Sequence, residues 1–91
     1  MIRSFKDRDT ERLHDRQQVA KFASFERVAR RKLAQIDAAL SLRDLSAPGN
    51  KLEKLTKERK GQYAIRINDK YRLCFVWEPD GVHDVEITDY H

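Results

Sequence analysis

The chain is short and basic: 91 residues, with 19 Lys and Arg against 15 Asp and Glu for a net charge of +4. This length predicts one domain that buries only ~60–65% of its unfolded surface and has no room for an enclosed cofactor cavity. Its one cysteine, Cys74, excludes an internal disulfide and a zinc ribbon; no apolar run nears the ~18–20 residues of a membrane span, and residues 1–6 lack the apolar stretch of a signal peptide, so a cytoplasmic chain without membrane contact is expected.

Residues 2–6 alternate apolar and polar, as a half-buried strand does. Asp7 or Asp9 can then cap a short helix reaching about Arg16, its apolar face resting on Leu13. Residues 17–24 read as a connection. Ser24 is placed to cap the strongest helix, about Phe25 to Leu42. Within it Ala29, Leu33, Ile36 and Leu40 recur at steps of 4, 3 and 4, one apolar stripe. Arg27, Arg30, Arg31 and Lys32 lie mostly off that stripe and read as its wet face, an RNA contact being the lesser alternative. Ser46-Ala47-Pro48-Gly49-Asn50 is turn chemistry that ends the helical half. Lys51 to Lys60 is charged, with Leu52 and Leu55 as its only anchors. Tyr63, Ile65 and Ile67 alternate with Ala64, Arg66 and Asn68 to give a strand, and Asn68-Asp69-Lys70 is a turn. Tyr71 to Glu78 is the strongest strand, with Tyr71, Leu73, Phe75 and Trp77 on one face. Glu78-Pro79-Asp80-Gly81 has Pro second and Gly fourth, as a type I turn prefers, and a last strand runs from about Val82 to Tyr90. Strand, helix, helix and a three-stranded antiparallel meander make an α+β fold. Leu33, Ile36, Leu40, Phe75 and Trp77 are expected in its one core.

The charge is unevenly spread. From Lys51 to Arg72 there are eight bases against three acids, whereas Leu73 to His91 contains five acids and no Lys or Arg. A concentrated basic segment is the footprint of a polyanion partner; the plain alternative is a solvated loop. Lys54, Lys57, Arg59 and Lys60 are the candidate RNA contacts of that loop. The hairpin adds a sharper feature. Tyr63/Ile65/Ile67 and Tyr71/Leu73/Phe75 share the core face only if Ile67 pairs with Tyr71, which puts Arg66 directly across from Arg72. Opposed like charges destabilise a sheet. Either a neighbouring acid such as Glu86 neutralises the pair, or the pair is kept to grip a phosphate, which suits a guanidinium fork.

The chain ends Asp89-Tyr90-His91. Cutting RNA with side chains alone needs a base for the 2′-hydroxyl, a cation for the phosphorane oxygens and an acid for the leaving 5′-oxygen. Asp and His transfer protons, Tyr orients or stacks on a base, and Arg72 supplies the charge. Strict alternation puts Tyr90 on the arginine face and Asp89 and His91 on the other, so all three meet only if the strand ends or bends near Asp89.

Several stretches carry a family resemblance: Gly49-Asn50-Lys51-Leu52-Glu53-Lys54-Leu55, then Gly61-Gln62-Tyr63-Ala64-Ile65-Arg66-Ile67-Asn68-Asp69, then Tyr71-Arg72-Leu73-Cys74-Phe75, and the closing Asp89-Tyr90-His91. Together they resemble the HigB toxins of the RelE/ParE superfamily, over nearly the whole chain. The resemblance implies a RelE-like, microbial RNase-type fold over residues 1–91. It implies a toxin of a type II toxin–antitoxin pair that cuts mRNA in the ribosomal A site without a metal or other cofactor, in the bacterial cytoplasm. It also implies a HigA-like helix-turn-helix antitoxin, through which alone operator DNA is reached. The family's terminal Asp, Tyr and His correspond to Asp89, Tyr90 and His91, and its strand arginine to Arg72. Glu53 stands where some members carry a catalytic His, in Lys-Leu-Glu rather than Lys-Leu-His. Two alternatives remain open: a gyrase-inhibiting toxin like the ParE branch, and a module that binds ribosomal RNA without cutting.

Overall fold

In the computed structural model, which describes residues 1–89, Asp7 caps the first helix, α1 (Arg8–His14), its carboxylate accepting from the Thr10 amide at 3.0 Å. Leu13 is the helix's buried apolar anchor, and the Thr10 hydroxyl accepts from the Ile87 amide at 3.0 Å. The helix closes with two crossed bonds, Gln17 N–H to the Arg12 carbonyl at 2.9 Å and Arg16 N–H to the Leu13 carbonyl at 3.1 Å. This closure needs a left-handed residue, normally glycine. Arg16 fills it with φ at 65°, a conformation that costs a side-chain-bearing residue about 1–2 kcal/mol.

The second helix, α2, spans Glu26–Ala38, shorter than the predicted Phe25 to Leu42. Ser24 is not its cap. It lies inside a 3-10 turn over Ala20–Phe25 that buries Phe22 and Phe25, in what the sequence presents as a plain connection. Ala29, Leu33 and Ile36 form the buried stripe as expected, but Leu40 is 93% exposed and leaves the core. The cause is local: the Leu40 and Ser41 amides donate to the Asp44 carboxylate at 2.8 and 3.1 Å. These bonds compete with helix continuation and start a second 3-10 turn, Leu42–Leu45, from which Leu45 is buried instead. The wet-face reading of the basic cluster also needs correction. Lys32 is buried, and its Nζ donates to the carbonyls of Arg66 at 2.6 Å and Gly49 at 3.4 Å. Burial lowers its pKa, with Arg31 and Arg66 acting in the same direction.

The sheet is an antiparallel meander of four strands in the order β1 (Glu53–Lys54), β2 (Tyr63–Arg66), β3 (Arg72–Glu78), β4 (Gly81–Thr88). The predicted strand at residues 2–6 makes only isolated parallel bridges to β4, Ile2 with Val82 and Phe5 with Val85. The charged segment contributes a short edge strand in its place. The β2–β3 register is the expected one: Tyr63 with Phe75, Ile65 with Leu73, Arg66 with Arg72. The Asn68 side chain closes the turn by accepting from the Lys70 and Tyr71 amides at 2.9 and 2.7 Å. Between β3 and β4 the register slips, Cys74 pairing with Glu86 but Val76 with His83. Asp84, with φ at 53°, is the extra residue. This bulge resets the alternation of β4, so Val82, Val85 and Ile87 are all buried. They pack with Leu33, Ile36, Leu73 and Phe75 beneath the helices, while Trp77 sits at the edge of that core.

Candidate active face

Alternation along the strands sends one set of side chains to the helices and the other to the opposite, open face. Two rows cross that open face. One is Arg66, Arg72 and Thr88; the next is Glu53, Ala64, Cys74 and Glu86. Phe25 stacks on Tyr71 with ring centroids 4.7 Å apart, and Lys32 holds the Arg66 carbonyl. The helical layer thus grips both sides of the arginine hairpin from behind.

The opposed arginines are not neutralised by Glu86. Arg66 pairs with the exposed Asp69 in its own turn. Arg72 Nη1 donates to the carbonyls of Asn68 at 2.5 Å and Tyr71 at 3.1 Å. No carboxylate among the described residues lies within ion-pair distance of Arg72. Two carbonyls therefore aim its guanidinium without cancelling its charge. Glu86 is engaged elsewhere, by Arg59 at 3.1 Å and Lys6 at 3.9 Å.

Arg59 also donates to Gln62 at 3.1 Å. Of the basic loop's candidate contacts it is the half-buried one, tied to the sheet, whereas Lys54, Lys57 and Lys60 are exposed. Leu55 packs on Ala64 and Cys74, so the loop is fastened at two points. A groove of about 650 Å³ runs along residues 53–59. Glu53 lies on the open face of β1, one row and two strands from Arg72. Strand spacing and rise put their Cα atoms roughly 12 Å apart.

Cys74 is the floor between the two acids. Burial pushes its thiol up to about 11, with Arg59 and Lys6 opposing and Glu86 and Glu53 reinforcing the rise. It is a small core residue and not a nucleophile. Asp89 lies just past the end of β4, exposed, one residue beyond the Thr88 that faces the arginine row. Tyr90 and His91 lie outside the described residues. His14 packs against Phe5 with centroids 5.5 Å apart, and His83, paired with Val76 at the far end of the same face, has its Nε2 2.8 Å from Asp80. Among the described residues, no group of three His, Cys, Asp or Glu side chains is placed to hold a metal. Lys6 is the member of the face that sequence reasoning missed; its only signal was its place at the end of the alternating 2–6 stretch.

A family model described as the RelE-like toxin of the type II toxin-antitoxin system HigB matches residues 3–91. The chain belongs to the HigB-like toxin family. Toxin HigB-1 of Vibrio cholerae is 39% identical to this HigB-like toxin over 85 residues, 90% of this chain and 88% of that protein. An uncharacterized protein of Haemophilus influenzae is 38% identical over 65 residues, 70% of this chain and 64% of that protein. Among solved structures, the YoeB-YefM complex of Staphylococcus aureus aligns over 100% of this chain and 98% of that one, with a TM-score of 0.62 and 18% identity. A second structure of that toxin–antitoxin pair, a heterotetrameric complex, gives the same TM-score at 17% identity. The shared fold is α+β and RelE-like.

Proposed function

We propose that this HigB-like toxin is a metal-independent endoribonuclease, acting as one domain in the bacterial cytoplasm, that cuts messenger RNA on the ribosome and thereby stops translation. The observation that carries the reading is Arg72: a guanidinium aimed by two backbone carbonyls, with no carboxylate among the described residues to cancel it, beside a second arginine on an open face. A like-charged pair at this register weakens the sheet and gains its value from an anion bound between the side chains. In this reading Arg72 stabilises the phosphorane, and Glu53 is the base that takes the 2′-hydroxyl proton. Asp89, Tyr90 and His91 supply the acid and orient the nucleotide. Lys54, Lys57 and Lys60 track the RNA backbone, Arg66 assists Arg72, and Arg59 holds the loop in place through Glu86. The partner that silences this face is an antitoxin of the HigA type, in keeping with the toxin–antitoxin complexes that share the fold, and operator DNA is met only through it.

The test is a translating extract in which mRNA ends are mapped. The wild-type protein should cut message at ribosome-protected positions. Arg72→Ala should lower the rate ~10²–10³-fold, as loss of an electrostatic stabiliser does. Truncation after Asp89 should abolish cutting while leaving a folded, antitoxin-binding protein. A truncated protein that stays fully toxic overturns the assignment of the chain end. Supercoiling defects with intact message would make gyrase the target.

A further inference from the structure

A second basic site lies on the other side of the molecule. Where α1 ends against α2, a recess of about 380 Å³ is lined by His14, Arg16, Arg30, Arg31 and Ala34, without an acid. Arg30 is its wall. Its guanidinium donates to the carbonyls of Leu13 at 3.3 Å and Gln17 at 3.0 Å and meets Glu26 at 3.3 Å, so it locks the end of α1 onto α2. Arg16 and Arg31 are exposed, and neither has a carboxylate within ion-pair distance among the described residues. Arg31 points away from the buried stripe of α2, which faces the sheet, so this recess and the arginine row occupy opposite sides of the fold. Arg16 holds the left-handed position of the helix closure, where glycine is the unstrained choice. A side chain kept in such a place is a reason to look for a ligand.

We propose that this recess binds an RNA phosphate, gripped between the Arg16 and Arg31 guanidinium groups. It gives the toxin a second RNA contact opposite its cutting face. The proposal rests on the ribosomal reading above: a 10.8 kDa chain seated in an RNA-walled cleft meets backbone on more than one side. Guanidinium forks match phosphate geometry. Arg30, already neutralised by Glu26, sets the spacing of the recess without competing for the anion.

The experiment titrates purified 70S ribosomes, without message, with labelled toxin between 50 and 200 mM salt, a range over which phosphate contacts change affinity strongly (~10³–10⁵ for six to ten contacts). It compares wild type, Arg16→Gly/Arg31→Gln and, as a control of equal charge, Arg8→Gln/Arg43→Gln. The recess variant should bind about tenfold more weakly, with a log–log salt slope shallower by about two. It should melt no lower than wild type and still bind the antitoxin. Affinity and slope equal to wild type, or a control that loses as much as the recess variant, overturns the site. Loss of antitoxin binding with ribosome affinity intact makes the recess a protein-docking face and also overturns it. In both cases the ribosomal reading stands as long as Arg72→Ala still blocks cutting. A wild-type protein without salt-dependent ribosome affinity removes that reading and this one together.

Discussion

Replacing Lys32 with methionine tests how the helical layer holds the arginine hairpin. Lys32 is only 6% exposed, and its Nζ is the donor for the Arg66 and Gly49 carbonyls at 2.6 and 3.4 Å. Methionine keeps the length of the apolar stem and removes the donors. A buried acceptor left without a partner costs ~1–3 kcal/mol, and removing a buried charge returns part of that by ending its desolvation. The shorter bond dominates, so the expected net loss is about 1–2 kcal/mol, or roughly 4–16 °C in melting midpoint for a chain of this size. Thermal unfolding followed by circular dichroism reads it, with the exposed neighbour Arg31→Met as control, expected to shift by less than ~0.5 kcal/mol. The folded-state pKa of Lys32 is lowered from 10.5. Just below that value the unfolded chain therefore binds more protons than the folded one, and stability rises with pH. The wild-type advantage over Lys32→Met should accordingly grow as pH approaches 10.5 from below. A variant as stable as wild type at pH 7, with no pH-dependent difference, refutes the claim that this amine holds the hairpin.

Leu33→Ala should cost about 2–5 kcal/mol in denaturant unfolding, because Leu33 is fully buried, whereas Leu40→Ala, at a residue 93% exposed, should stay within ~0.5 kcal/mol of wild type. Asp7→Ala removes the cap that Thr10 donates to and should cost about 1 kcal/mol in the same assay, with Asp7→Asn keeping most of it. Cys74 should resist thiol reagents at pH 8 until the chain is unfolded. Its folded pKa is raised from 9.0 to about 11, so the unfolded chain ionises first and stability should fall as pH rises through that window, a loss that Cys74→Ala abolishes.

The parts of this toxin legible in its residues are those set by short-range periodicity. Ala29, Leu33 and Ile36 mark one helix face, and the paired alternation of Tyr63/Ile65 with Leu73/Phe75 admits one hairpin register, from which the opposition of Arg66 and Arg72 follows. A slip of one residue would turn every apolar side chain to the wrong face, so the pattern alone suffices there. Other features depend on groups distant in the chain or on competition the pattern does not weigh. The bulge at Asp84 rests on the first strand-like segment: the Asp84 amide donates to the Ser4 hydroxyl at 2.9 Å and the Val85 amide to the Ser4 carbonyl at 3.1 Å. With it Val82 and Val85 both reach the core, which strict alternation forbids. Leu40 satisfies the helical stripe, yet Asp44 draws its amide and that of Ser41 out of the helix. Glu86 alternates onto the arginine face as expected, but Arg59, reaching over from the basic loop, meets it at 3.1 Å and leaves Arg72 to its two carbonyls. Period and parity are properties of neighbouring residues, whereas the partner of a charge or an amide is whichever group the folded chain brings within about 3 Å of it.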